Sequence, residues 1–303
     1  MNTDRRQRSF LDPVVVAQLS ALPLLSRKPM LGNVSGRHAS PHRGASVEFA
    51  EYRKYVPGDD LRRLDWRAYG RSDRFYIKEY EADTNLRLVL VVDTSGSMNF
   101  GSLGTTKLEY ARRLAAALSY LAIQQGDAVG MACVADGIVK NIPARRNPAH
   151  LMTLFDALEA AQPQGETGLV EVLHELAETV RQRAQVIILS DFFVPPELLR
   201  GCFEHLRFRK HDVSIFHLLD PEELGFTFQR PTRFIDMEGG TAVFADPVEI
   251  ADRYHRALQD YLDVLHKVVL ETAVDYRRIG IQSPYDKELT SFLVDRAHRG
   301  RGR

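Results

Sequence analysis

Apolar residues along the chain follow two patterns, continuous runs and helical spacing, which alternate over most of its length. Continuous apolar runs at 86–93, 184–191 and 211–220 are typical of strands that are covered on both faces. Between these runs, segments such as 107–127 place apolar residues at helical spacing, which predicts amphipathic helices. Strands that alternate with helices indicate a mainly parallel sheet with helices on both faces. The pattern therefore predicts an α/β protein built on a doubly wound sheet.

The other segments beyond residue 86 extend this alternation. Residues 128–142 are predicted to form two strands that turn at Asp136 and Gly137. Beyond Pro247 a long helical pattern is followed by a second one near the C-terminus. Helical patterns also cover 148–162, 169–183 and 195–210.

The first 85 residues are organised differently. Residues 26–46, rich in Gly, Ser, Pro and basic residues, are predicted to form a loop or arm, and 74–83 alternate like a strand. Near the start, polar positions interrupt the apolar run and no small-residue cleavage site follows, which disfavours a signal peptide. An amphipathic helix docked on the protein is predicted instead from the apolar positions Leu11, Val14, Val15, Leu19 and Leu22.

These patterns suggest a division of the chain into three parts. Residues 1–85 would hold the N-terminal helix, the basic loop and a segment that packs on the core. Residues 86–245 would form the α/β domain. Residues 246–303 would form a C-terminal helical segment and a basic tail.

Composition and charge narrow the classes of function. The 40 basic and 40 acidic residues cancel, so bulk charge favours neither a nucleic-acid binder nor an enzyme for acidic substrates. The basic termini leave nucleic-acid binding as a weaker hypothesis, which strong salt dependence would reveal. No apolar stretch reaches the roughly 18–20 residues that span a bilayer. Cys133 and Cys202 have no disulfide or metal spacing, so a cytoplasmic location is expected.

The stretch 58–66 mixes three aspartates with two arginines and has two interpretations. It could be a docking surface or a second ion site, or a Pro-Gly turn with solvated salt bridges. We favour a structural clasp with Trp66 buried. The ten histidines have no paired ligand spacing, so zinc is not expected.

Polar side chains follow two of the predicted strands at the point where each strand ends. Asp93 and Asp191 each come directly after an aliphatic run, and Ser95 and Ser97 follow Asp93 at alternate positions. Thr167 lies between the two aspartates, in a loop flanked by glycines. Ligands of open parallel sheets bind beyond the carboxyl ends of strands, where the strand order reverses. These five residues are therefore the candidate site.

Oxygen ligands of this kind suit Mg²⁺, a hard cation that usually keeps several waters. Mn²⁺ is an alternative, because oxygen-rich sites accept both ions. Helix capping is the competing interpretation of each residue. It fits Asp93 poorly, because the next helix is predicted to begin near Thr106. It stays open for Thr167 before the helix at 169, and for Asp191 before the helix at 195.

The sequence VVDTSGSM, followed by Thr167 and then by ILSDFF, resembles the metal-ion-dependent adhesion site of von Willebrand factor A domains. The resemblance implies a von Willebrand factor A-like, Rossmann-like fold. It also implies that Asp93, Ser95, Ser97, Thr167 and Asp191 hold a divalent ion. The open coordination position of that ion would face outward and accept an acidic side chain of a protein partner.

A second resemblance covers most of the chain. Residues 47–83 and the C-terminal AVDYRRIGIQSPYDKELTSFLVDR are similar to the bacterial family called domain of unknown function 58. The resemblance implies a role as adaptor or partner of a MoxR-type AAA+ ATPase in protein maturation or complex assembly. Many members of this family have N-terminal membrane helices, and none is predicted in this sequence.

A metal-dependent hydrolase acting on phosphates is the alternative function. The candidate loops offer no histidine or third acid as a base, and Ser95 stands where an aspartyl-phosphate enzyme would have a second acid. The stretch GSLGTTK, 101–107, lacks a glycine before Lys107, so a phosphate loop is not supported. The sequence therefore favours a non-enzymatic interaction module.

Overall fold

The computed structural model describes Phe10, 12–19, Leu22, Leu24, 48–54, 76–81 and 86–301. For the strands at 48–54 and 76–81 it describes the backbone. The predicted loop at 26–46 and the 58–66 stretch with Trp66 lie outside the described residues. None of the helices in the described part of the chain has the length and apolar character that crossing a membrane requires.

A six-stranded sheet forms the centre of the described fold, in the order β10-β7-β6-β3-β4-β5. All neighbouring strands are parallel except β4 and β5, which pair antiparallel at one edge. Its strands are β3 (Arg87–Asp93), β4 (Ala128–Val134), β5 (Ile138–Arg145), β6 (Gln185–Ser190), β7 (Asp212–Leu219) and β10 (Asp275–Gly280).

The chain reverses its direction of progress across the sheet between β3 and β6. From β3 it moves outward to β4 and β5, then returns to place β6 on the other side of β3. This strand order is that of the doubly wound nucleotide-binding folds, in which the reversal point is the usual ligand site. The predicted fold class, a mainly parallel doubly wound sheet with helices on both faces, is confirmed.

Helices cover both faces of the sheet because successive residues of the buried strands point in opposite directions. Leu88 and Leu90 of β3 face one apolar cluster, and Val89 and Val91 face the other. The first face is covered by α1 (Pro13–Leu19), α2 (Lys107–Gln124), α3 (His150–Ala160) and α8 (Tyr285–Arg301). The second is covered by α4 (Leu169–Thr179), α5 (Pro196–Phe208) and α7 (Pro247–Glu271).

The N-terminal helix is where its apolar spacing predicts it. Leu19 of α1 is buried in the first apolar cluster, and Val14 is exposed. The predicted strand at 74–83 is β2 (Tyr76–Glu81), and it pairs antiparallel with β1 (Glu48–Lys54). The division of the chain into 1–85, 86–245 and 246–303 stays a prediction.

The C-terminal segment was expected to be helical, and this expectation missed β10. The helix α7 ends at Glu271, and 275–280 then add a parallel edge strand beside β7. No apolar run predicts this strand, because its sequence, DYRRIG, has an exposed arginine and half-buried polar positions. Buried Arg296 of α8 fastens this edge, since its guanidinium pairs with Asp212 at 2.6 Å and with Asp275 at 3.3 Å.

A short helix and a small hairpin lie between β7 and α7. The helix is α6 (Pro221–Gly225), and the hairpin pairs β8 (Thr232–Phe234) with β9 (Val243–Ala245). Neither element was predicted.

Candidate metal centre

The loop after β3 carries the first three candidate ligands. Asp93 ends the strand, and one of its carboxylate oxygens accepts a hydrogen bond from the Ser95 backbone N–H at 2.9 Å. The hydroxyls of Ser95 and Ser97 are 3.1 Å apart. A single turn of 3-10 helix, Gly96–Asn99, follows, and Ser95 makes no side-chain capping bond to it. The hydroxyls are therefore gathered on one side of a tight turn without serving as caps.

The loop that carries Thr167 is hydrogen-bonded to this turn. The Gly96 N–H donates to the Gly165 carbonyl at 2.9 Å, and the Gln164 N–H donates to the Thr94 carbonyl at 2.9 Å. The Thr167 hydroxyl oxygen is buried and has no hydrogen-bond partner among the residues that the structure describes. Capping does not explain it, because α4 begins after Gly168 and has no side-chain cap.

The third loop follows β6 and is joined to Asp93 through a residue that sequence reasoning did not select. The Ser190 hydroxyl donates to the second carboxylate oxygen of Asp93 at 2.6 Å. Asp191 follows directly, and its charge acts on Asp93 through space. Asp191 does not cap α5, whose N-cap is Pro195. Hydrogen bonds and charge thus connect the three predicted loops at the reversal point of the sheet.

The acidic groups of this site are withdrawn from water. Asp93 and Ser95 are fully buried, and Asp191 is 2% exposed. Burial first, and then the nearby charge of Asp191, raise the pKa of Asp93 to about 6, although hydrogen bonds from Ser190 and Ser95 act in the opposite direction. A buried carboxylate of this kind is stabilised by a cation placed against it.

Lys107 supplies a fixed cation at one side of the site. Its ammonium lies 2.6 Å from a carboxylate oxygen of Asp191 and 2.5 Å from one of Glu223, with no side-chain exposure. Burial alone would lower the Lys107 pKa, but the two carboxylates raise it above its ordinary value. Asp191 is therefore compensated within the protein, whereas Asp93 has hydroxyl and amide donors and no lysine or arginine ion pair in the described chain.

Two signals in the sequence could have revealed these additional residues. Lys107 is the first residue of α2, where a positive charge interacts unfavourably with the helix dipole. A lysine at this position therefore indicates a contact with negative charge elsewhere in the fold. Asp220 follows β7 as Asp93 and Asp191 follow their strands, and it marks the same edge of the sheet. Its carboxylate accepts hydrogen bonds from the Ser102 backbone N–H at 2.8 Å and hydroxyl at 2.6 Å, which fixes the loop before α2.

The donor set suits a hard divalent cation such as Mg²⁺ or Mn²⁺ better than a softer ion that prefers thiolate or imidazole ligands. It combines hydroxyls with carboxylates, and the unpartnered Thr167 oxygen is a free ligand atom. Among the described residues, no group of three or more His, Cys, Asp or Glu side chains is arranged to hold a metal ion. The residues present therefore fit Mg²⁺ or Mn²⁺ held by few charges.

The β8–β9 connection lies against one side of the candidate site. A Cβ added to Gly96 would lie 1.9 Å from the Met237 carbonyl oxygen, so this connection rests directly on the turn between Ser95 and Ser97. Asp93, Ser95 and Asp191 are buried, whereas Ser97 and Thr167 are half-buried.

Several known proteins are similar to this chain. The uncharacterized protein Rv1480 of Mycobacterium tuberculosis is 30% identical over 217 residues, which cover 70% of this chain and 68% of that protein. Among solved structures, BatB from Bacteroides thetaiotaomicron has a TM-score of 0.46 at 17% identity, covering 71% of this chain and 100% of that one. The SpRpn10 VWA domain has a TM-score of 0.40 at 13% identity, covering 73% and 99%. Both TM-scores are below 0.5, so neither structural likeness supports a statement about function.

The family match extends over most of the chain. Residues 51–261 match the family described as protein of unknown function DUF58. This range begins in the segment before the sheet and ends within α7, so it includes all three candidate loops. The chain therefore belongs to the DUF58 family.

Proposed function

We propose that this protein is a non-enzymatic, divalent-cation-dependent interaction module. In this proposal Asp93, Ser95, Ser97, Thr167 and Asp191 hold Mg²⁺ or Mn²⁺, directly or through water. The ion supplies an electrophilic position that an acidic side chain of a protein partner can occupy. A MoxR-type AAA+ ATPase or its client is the proposed partner, in protein maturation or complex assembly.

The buried Thr167 hydroxyl without a partner carries this proposal. An unpaired buried hydroxyl costs free energy unless another ligand satisfies it. Its loop is hydrogen-bonded through Gly165 to the turn that holds Ser95 and Ser97. A cation at this position would satisfy the Thr167 oxygen and offset the burial of the Asp93 carboxylate together.

The groups around Asp93 give little support to the hydrolase alternative. A hydrolase needs a base that can take a proton from the attacking water. Glu223, the additional acid near the site, is paired with Lys107 at 2.5 Å. Burial lowers the pKa of nearby His217 to about 4, and its Nδ1 is 3.0 Å from the Tyr276 hydroxyl. These arrangements favour a binding role.

Replacing Thr167 by valine separates a ligand role from a structural one. Thr167→Val removes a hydroxyl that bonds nothing in the described chain, so the free energy of unfolding without metal should change by less than about 0.5 kcal/mol. Loss of one metal ligand should weaken Mn²⁺ binding about tenfold, or about 1.4 kcal/mol. Isothermal titration with Mn²⁺ and urea unfolding measure the two effects.

Thr94→Val is the matched control for this experiment. The Thr94 hydroxyl donates to the Val134 carbonyl at 2.8 Å, so its loss should destabilise the protein by about 1 kcal/mol and leave Mn²⁺ affinity nearly unchanged. Equal Mn²⁺ affinities of wild type and Thr167→Val would remove Thr167 from the proposed ligand set.

The proposed partner is tested by capture from the native host with this protein as bait. We expect a MoxR-type AAA+ ATPase, identified by mass spectrometry, to be retained in Mg²⁺ and lost after chelation. An ATPase can also depend on Mg²⁺ itself, so an Asp93→Asn bait in unchanged Mg²⁺ is the decisive arm. Retention on this bait at the wild-type level would contradict a partner held through the ion.

A further inference from the structure

The β8–β9 hairpin is held firmly at its base. Phe226 stacks on Tyr254 of α7 with ring centroids 4.3 Å apart and on Phe234 of β8 at 5.7 Å. Phe228 packs edge-on against Phe234 at 5.4 Å. The Tyr254 hydroxyl donates to the Glu223 carbonyl at 2.7 Å, which joins this aromatic base to α6.

The connection between the two strands, residues 235–242, is the tip of this hairpin, and it is held differently. Its Met237 carbonyl touches Gly96, while Ile235 is 65% exposed and Met237 is 40% exposed. Within the described chain no hydrogen bond joins the tip to the turn that carries Ser95 and Ser97. Gly239 has φ +106°, which suits a turn that other residues rarely form. The tip therefore rests on the candidate site by van der Waals contact alone.

A second set of contacts joins the site to the helix that precedes the hairpin. Glu223 lies in the helix directly before the aromatic base, and its carboxylate binds Lys107, which also binds Asp191. The hairpin therefore contacts the site at its tip through Met237, and the helix that precedes the hairpin contacts the site through Lys107.

We propose that the tip, residues 235–242, is a movable cover that must leave Gly96 before an external carboxylate can reach the ion site. This inference rests on the proposed function and adds its regulation. With the tip in place Asp93, Ser95 and Asp191 are buried and Ser97 and Thr167 are half-buried, so the tip restricts the approach of a protein side chain from its side of the turn. Displacing the tip breaks packing contacts and no hydrogen bond to the turn, while the aromatic base keeps the hairpin attached.

The hairpin register allows the tip to be removed without removing the hairpin. Phe234 and Val243 are directly paired, so a two-residue Asn-Gly turn can replace 235–242 and keep both strands. A second variant, Gly96→Ala, displaces the tip by a different route, because its Cβ cannot coexist with the Met237 carbonyl. The control is Phe244→Ser, which changes a 73% exposed side chain of β9 and leaves the tip intact.

Hydrogen–deuterium exchange of residues 94–100 measures the cover directly and needs no metal. We expect exchange about tenfold faster in the Asn-Gly variant and faster in Gly96→Ala, with Phe244→Ser like wild type. Mn²⁺ should also associate about tenfold faster with the Asn-Gly variant, as measured by stopped flow. Thermal unfolding of each variant verifies that it is folded.

The two readouts separate this inference from the proposed function. Unchanged exchange at 94–100 in both folded tip variants overturns the cover, whatever Mn²⁺ does. Faster exchange together with no Mn²⁺ binding by any variant keeps the cover and rejects the ion site. Faster exchange with faster Mn²⁺ association supports both.

Discussion

Asp93→Asn is expected to weaken Mn²⁺ binding by at least about 100-fold, or about 2.7 kcal/mol. Asp191 already pairs with Lys107, so Asp93 supplies the negative charge of the site that no lysine or arginine of the described chain compensates. The asparagine oxygen can still accept the Ser95 N–H, and the Ser190 hydroxyl can rotate to accept from the new amide. The fold should therefore survive while the charge is lost.

The same substitution should leave the stability of the metal-free protein nearly unchanged. Burial already raises the pKa of Asp93 to about 6, so a neutral side chain is tolerated there. The free energy of unfolding without metal should change by less than about 1 kcal/mol. Asp252→Asn, an exposed change on α7, is the matched control and should leave Mn²⁺ affinity unaltered. A folded Asp93→Asn protein with wild-type Mn²⁺ affinity would end the case for this ion site.

Lys107→Met is expected to destabilise the metal-free protein by about 3–5 kcal/mol. The substitution leaves Asp191 and Glu223, with side chains 3% and 14% exposed, without the cation that both contact. Mg²⁺ should restore part of this loss, because a divalent ion near Asp191 replaces the missing positive charge. Urea unfolding with and without Mg²⁺ should show a larger stabilisation by Mg²⁺ in the variant than in wild type.

A second substitution tests the assignment of this effect to unpaired charge. Adding Glu223→Gln to Lys107→Met neutralises one of the two carboxylates and should recover part of the lost stability. Lys267→Met, an exposed change on α7, should alter stability by less than about 0.5 kcal/mol. If Mg²⁺ stabilised wild type and Lys107→Met equally, Asp191 would not belong to the ion site.

The central strands could be predicted because they are continuous apolar runs covered on both faces. The helices that cover them could be predicted because their apolar residues recur at helical spacing. The turn at Asp136 and Gly137 and the start of α2 after Thr106 were also correct, since local chemistry decides both. The edge strand β10 was missed because several of its residues are polar and partly exposed, so no apolar run marks it. The β8–β9 hairpin is short and exposed, and packing of its aromatic residues fixes it.

The candidate ligands were chosen from strand ends, a Gly-flanked loop and the resemblance to a known motif, and the structure connects their loops through contacts that no spacing reveals. Ser190 bonds Asp93 although 97 positions separate them, and Lys107 reaches Asp191 across 84. The same loops were expected to be open to an external partner. The structure places the Met237 carbonyl against Gly96 on one side of these loops, which is a contact between distant segments.

The apolar and polar pattern of the sequence was sufficient to predict the α/β fold class, the order of the elements from β3 to β7 and the polar residues at the ends of β3 and β6. These follow from short-range rules, in which apolar periodicity selects strand or helix and a strand must end where its apolar run ends. Three-dimensional packing was needed to show that Lys107 compensates Asp191, that the Thr167 hydroxyl has no partner among the described residues, and that Met237 lies against Gly96. Burial and pairing depend on residues far apart in the chain, and these contacts exist only once the sheet and its helices have packed.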